Sequence, residues 1–137
     1  MGMVQTEITI KNVADEIGFR EGRLKEHEVR TVTVTAVVDT GAATLVIGEE
    51  LRQILGLGIK EERKVMLADG GLADCKVTDA VNVQWKDRNW SCPAVSFPRV
   101  ETVLLGAIPL EGMDLMVNPK TQEVVGVHGD VAQLMIL

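Results

Sequence analysis

Val29 to Val38 alternates valine with threonine and then turns wholly apolar, as in a strand that passes from half-buried to fully buried. Thr6 to Val13 alternates with period two and predicts a second strand. Between them, Asp15 to Glu28 is charged and holds Gly18 and Gly22, which predicts a loop or a long hairpin connection. Gly48 to Leu57 has apolar residues at 51, 54 and 55, acids at its start and Gly56 and Gly58 at its end, so a short helix is expected. Lys64 to Ala68 and Leu72 to Val83 read as strands around the tight-turn signal Asp69-Gly70-Gly71. A second hairpin is expected around Lys86 to Asn89, with Trp85 and Trp90 stacking across it. Val103 to Leu105 reads as a short buried strand ending at Gly106, with a helical turn to Met113. Leu115 to Asn118 and Glu123 to Val127 read as a pair around Pro119 to Gln122. The tail, Val131 to Leu137, is apolar. The expectation is an all-β chain of many short strands with one or two short helices.

Length narrows this picture. At 137 residues the chain suits one domain and one core, and it is too short for two complete lobes facing each other across a cleft. Apolar residues make up 46% of it and aromatics 3%, without tyrosine, so the core must be built from branched aliphatics. Fourteen Lys and Arg against 20 Asp and Glu leave a net charge of −6, a poor basis for nucleic-acid binding, which needs clustered cations. No stretch approaches the ~18 apolar residues that span a bilayer, and Met1 to Val13 lacks a signal-peptide core, so no membrane partner and a cytoplasmic location are expected. Cys75 and Cys92 are too few for a disulfide scaffold and have no metal-ligand spacing; two reduced thiols are expected. His27 and His128 read as solvated surface residues.

One constellation carries chemistry. Asp39-Thr40-Gly41-Ala42 follows directly on the buried end of a strand, where an ionised carboxylate is costly and needs a reason. Thr40 can lock a turn through its hydroxyl, and Gly41 lets another segment or a ligand approach. Taken alone, the run reads as a turn capped by an Asp. A second element, Val103-Leu104-Leu105-Gly106, shifts that reading, with a short helix and an Asp-Gly-Gly hairpin between the two. In this order the elements resemble the retropepsin-like aspartic proteases, the retroviral proteases and their bacterial relatives. The resemblance covers roughly residues 29–118. Residues 104–119 are similar to the helix and closing strand of non-viral members.

The resemblance implies a retropepsin-like closed β-barrel, one lobe per chain, completed as a homodimer. It implies an endopeptidase acting on peptide or protein substrates through Asp39 and the partner copy's own Asp39, without metal or organic cofactor. Thr40, Gly41 and Ala42 would support the active-site loop, Thr40 by bonding to the partner chain and Gly41 by offering its carbonyl to substrate. Leu67, Ala68, Asp69, Gly70, Gly71 and Leu72 would form a flap over the peptide, and Leu104, Leu105 and Gly106 would pack beneath the loop. Where viral members have two acids after the Ala and an Arg after the second Gly, this chain has Ala43, Thr44 and Ala107. The tail 131–137 could supply an interface strand instead, or pack on its own protomer. Two other readings remain: a dimeric peptide-binding or assembly module with little turnover, and an unrelated all-β binding protein in which Asp39 caps a turn.

Overall fold

The computed structural model describes residues 3–134. Its strands run in chain order as β1 (Gln5–Asn12), β2 (Thr31–Val38), β3 (Leu45–Gly48), β4 (Ile59–Met66), β5 (Leu72–Trp85), β6 (Arg88–Phe97), β7 (Val103–Leu105), β8 (Leu115–Asn118) and β9 (Glu123–Gly126). Six of them close on themselves in the order β1-β2-β7-β3-β6-β5, and β5 returns to β1. Closure leaves those strands no free edge in the barrel wall. The all-β expectation and the closed barrel are both met.

Strand alternation explains what fills the barrel. Ile8 and Ile10 on β1, Leu45 and Ile47 on β3, Val81 and Val83 on β5, Ala94 on β6 and Leu105 on β7 are buried. The intervening residues face outward. Each such valine, leucine or isoleucine contributes about 1.5–3 kcal/mol by leaving water. β2 is half-buried over its Val and Thr run and buried at Ala36 and Val37, as its sequence pattern requires.

Three strands lie off the wall. β4 pairs only with the first half of β5, so the β4–β5 hairpin projects from the barrel as an arm. The register of β5 breaks between Val77 and Ala80, where the strand leaves the arm and enters the wall. Thr78 holds that break: its buried hydroxyl donates to Asp79 O at 2.7 Å and accepts from Ala94 N at 3.0 Å. β8 and β9 form a separate two-stranded sheet.

Among the described residues there are three short α-helices and one 3-10 turn, against one or two helices expected: α1 (Val13–Arg20), α2 (Glu49–Ile54), α3 (Ala107–Gly112) and the turn Glu26–Glu28. α1 occupies the segment expected to be loop. Asn12 caps it by accepting from Asp15 N at 3.1 Å, and the same side chain donates to Leu55 O at 2.8 Å. Asp15 is in turn held by Arg30, through Nε at 2.7 Å and Nη2 at 2.9 Å, which keeps its carboxyl below the usual range. Tertiary polar contacts, in place of an apolar stripe, fix this helix.

Several local expectations need correcting. Trp85 and Trp90 sit at different register positions, opposite Arg88 and Val83 respectively. Trp85 donates to Thr6 Oγ1 at 2.8 Å, while Trp90 packs where a side chain on Gly112 would otherwise stand. His128 is engaged rather than simply solvated, its Nδ1 lying 2.7 Å from the Asp114 carboxylate. Both cysteines are free and buried, and burial pushes each thiol up. Of the apolar tail, Val131 to Leu134 is exposed and forms neither strand nor helix; 135–137 lie outside the described residues. No helix of the described residues is long and apolar enough to cross a membrane.

Candidate active site

Asp39 stands where β2 leaves the barrel. Its backbone N–H donates to Leu105 O at 3.0 Å, extending the parallel β2–β7 pairing of Val38 with Leu105 by one further bond. The turn closes locally: Ala42 N donates to Asp39 O at 3.1 Å and Gly41 N to Asp39 Oδ1 at 2.9 Å. The loop is then clamped from the far side. Ala107 N donates to Ala42 O at 2.8 Å and Ile108 N to Ala43 O at 2.9 Å, so the first residues of α3 hold the loop's carbonyls. Thr44 ends the loop by donating its hydroxyl to Pro93 O at 2.8 Å.

Gly106 makes the clamp possible. A Cβ there would sit 2.2 Å from Thr44 O and 2.5 Å from Ala42 O, closer than any side chain can come. The expectation of an apolar-apolar-glycine element beneath the Asp loop therefore coincides with a physical requirement. Leu105 is fully buried and Leu104 half-buried, consistent with their alternation on β7.

Asp39 is half-buried, more open than its position after an apolar strand suggests. Burial on β2 is complete only at Ala36 and Val37, and the chain emerges at Val38. Among the described residues, no cation lies within ion-pair distance of the Asp39 carboxylate, and no hydrogen bond reaches its Oδ2. Thr40 and Gly41 are exposed, Ala42 partly so. The loop thus presents one free carboxylate oxygen and an exposed threonine on a backbone fixed by main-chain bonds.

Leu67 to Leu72 form the tip of the β4–β5 arm. Leu67 N donates to Gly71 O at 2.8 Å, Gly70 N to Leu67 O at 2.9 Å and Gly71 N to Asp69 Oδ1 at 2.8 Å. Gly70 has φ of 86°, the left-handed region that favours glycine. Ala68, Asp69, Gly70 and Gly71 are exposed, and so are the apolar Leu67 and Leu72 that flank them.

An apolar groove of about 550 Å³ runs between the arm tip and β7. Leu67 comes from the arm tip and Leu104 from β7, where it pairs with Val37 beside the Asp39 loop. Val46, Phe97, Pro98 and Val100 supply most of the remaining wall, with Ala73 and Arg99. Those residues escaped sequence reasoning. The signal for them was Gly48: a Cβ on it would stand 2.1 Å from Val100 O, so this glycine admits the crossing of the 97–100 segment. Among the described residues no group of three or more His, Cys, Asp or Glu could hold a metal ion.

A family model described as aspartyl protease matches residues 22–129. Among solved structures, the chain is similar to a retropepsin-like aspartic protease from Rickettsia conorii, with 16% identity and a TM-score of 0.36, over 77% of this chain and 78% of that one. No curated protein matches the sequence.

Proposed function

The chain belongs to the aspartyl protease family, and we propose that it is an endopeptidase whose site is assembled from two copies of Asp39, one from each chain of a homodimer. The observation that supports this most directly is the Asp39 loop itself. Its backbone is bonded to β7 and α3 while Oδ2 and Thr40 remain unengaged, the arrangement expected of groups reserved for a partner. Two carboxylates brought within hydrogen-bond distance cannot both ionise; they share a proton and titrate as a pair. The ionised member takes a proton from a bound water, which attacks the scissile carbonyl, and the protonated member polarises that carbonyl. The proton then passes to the leaving nitrogen.

Each remaining part has a place in this scheme. Thr40 bonds across to the partner loop and stiffens the pair. The Gly41 carbonyl receives the substrate backbone. Leu67 to Leu72 close over the peptide as a flap and exclude water. The groove between Leu67 and Leu104 receives an apolar side chain of the substrate. With Ala43, Thr44 and Ala107 at positions that carry charge in viral members, the interface rests on main-chain bonds and apolar contact.

Incubation with an unstructured protein substrate tests the scheme. Cleavage is expected from the wild type and not from Asp39→Asn, with a dimer in sedimentation at assay concentration. A monomer that cleaves would sink the shared site. A dimer that binds peptide without cleaving it would make the protein a binding module instead.

A further inference from the structure

Arg88 is the only lysine or arginine buried among the described residues, at 7% exposure, and none of their carboxylates lies within ion-pair distance of it. A buried charge without a counter-ion is costly, so the side chain needs other partners. It finds them in main-chain carbonyls. Nη1 donates to Met113 O at 3.1 Å and to Asp114 O at 2.9 Å, and Nη2 donates to Gly129 O. The first two carbonyls follow directly on α3, where a helix leaves its last acceptors unpaired. Gly126 keeps the space open: a Cβ there would stand 2.4 Å from Arg88 Nη2 and 2.2 Å from Gly129 O.

The same end of α3 is fixed from two other sides. Trp90, two residues further along β6, lies so close that a Cβ on Gly112 would stand 2.2 Å from its ring. Asp114 has φ of 57°, uncommon outside glycine. It is held there by Val127 N, which donates to its carbonyl at 2.8 Å, and by Gln133 N, which donates to its carboxylate at 3.0 Å. Arg88 and Trp90 belong to a wall strand paired on both sides, to β5 and to β3. The opposite end of α3 is the clamp, where Ala107 N and Ile108 N hold the carbonyls of Ala42 and Ala43. The helix between them is about 9 Å long, under two turns, with Pro109 and Leu110 buried. A rod this short has no length over which to bend, so a shift at its Arg88 end moves its Asp39 end.

We propose that Arg88 is a positioning residue for Asp39. By holding the carbonyls after α3 it fixes where Ala107 and Ile108 meet the loop, and so where the Asp39 carboxylate stands. The catalytic consequence rests on the proposed protease activity; the hold on the loop does not. Two measurements on the full chain keep them apart: amide hydrogen exchange, and kcat and KM for a peptide that the wild type cleaves. Arg88→Lys keeps the charge and loses the planar fork that serves three carbonyls. With near-UV circular dichroism unchanged, exchange at Ala107 and Ile108 should quicken at least about tenfold. In the same variant kcat should fall about 10–100-fold, with KM within about twofold. Trp90→Phe withdraws a ring from Gly112 and leaves Arg88 in place; it should move both readings the same way by about threefold. The control is Asn12→Ala, which removes the α1 cap and a bond to Leu55 O beside the start of β2, the end remote from Asp39. It should lower the melting temperature and leave kcat and those two amides within about twofold of wild type. Unchanged exchange at Ala107 and Ile108 in Arg88→Lys overturns the proposal, as does an equal change in Asn12→Ala or a loss confined to KM. If Arg88→Lys does not fold, Trp90→Phe decides, and wild-type exchange and kcat in it overturn the proposal. Faster exchange in the variants of a protein that cleaves nothing ends the protease reading and upholds the hold of Arg88 on the loop.

Discussion

Two turns of this protein share one local design and differ in everything around it. In Asp39-Thr40-Gly41 the Asp Oδ1 accepts from Gly41 N at 2.9 Å; in Asp69-Gly70-Gly71 the Asp Oδ1 accepts from Gly71 N at 2.8 Å. The first turn is tied to β7 and to the start of α3 by main-chain bonds, Asp39 N donating to Leu105 O, and Ala107 N and Ile108 N to the carbonyls of Ala42 and Ala43. The second is tied only to its own hairpin, and its flanks Met66 and Leu72 are 78% and 65% exposed. An Asp-x-Gly turn is therefore no site in itself. Anchoring separates them: the first turn holds its carboxylate on a backbone fixed to two other elements, and the second has main-chain bonds only within its own hairpin.

The largest expected contrast is catalytic. Asp39→Asn keeps an oxygen for the Gly41 amide and should leave the melting temperature near that of wild type, yet reduce peptide hydrolysis by at least ~10³-fold, since the shared proton chemistry is lost. Asp69→Asn makes the same change in the other turn and should leave kcat within about threefold. Equal loss in both would end the distinction drawn between them.

A methyl group sharpens the contrast in stability. Gly106→Ala forces a Cβ onto the carbonyls of Ala42 and Thr44 and should cost about 1–3 kcal/mol or more in denaturant unfolding. Gly70→Ala meets nothing within 4 Å and pays only for its left-handed φ, about 1 kcal/mol.

Acid provides a third contrast, at the foot of the arm. Glu49 is held by Arg52, and further by Lys76 of β5 and Ser96 of β6, which lowers its carboxyl from 4.5 to about 2. A depressed folded-state pKa stabilises above the unfolded value and is lost as pH falls through the folded one. The network should therefore contribute about 1–2 kcal/mol above pH 4.5 and lose it on approaching pH 2. Glu49→Gln should lower the neutral melting temperature and flatten that acid limb. The Asp39 clamp consists of main-chain bonds and should not follow the same titration.

The smallest effect belongs to the arm tip. Leu67→Ser and Leu72→Ser alter exposed side chains and should change stability by no more than about 0.5 kcal/mol. Under the flap reading they raise KM for peptides, whereas a plain surface hairpin would leave KM unchanged.

The wall strands were legible because their alternation is imposed by burial on one face: Ile8 and Ile10, Leu45 and Ile47, Val81 and Val83. So was the Asp39 loop, whose partner Gly106 is required by close approach. α1 was not, since its only buried residues are Asp15 and Gly18 and no apolar stripe exists to be seen. Its available signal was Asn12 three positions before Asp15, a cap pattern hidden in a charged run. The start of β4 was missed for the converse reason. An arm strand exposed along most of its length follows no alternation, and only its pairing with β5 makes it a strand. The groove wall at Phe97 to Val100 depends on chain crossing at Gly48, which periodicity does not encode.

The parallel pairing of β2 with β7 has a consequence for how the protein is made. On a ribosome adding about 5–20 residues per second, several seconds separate Asp39 from the strand that must hold it. Until Val103 to Leu105 and the start of α3 have emerged, the loop has neither its β7 acceptor nor its donors from Ala107 and Ile108. Pairings so distant in sequence also form slowly, on the millisecond-to-second scale of β-barrels. The nascent chain therefore carries its carboxylate long before it can aim it, and translation itself delays the site until the barrel is nearly whole.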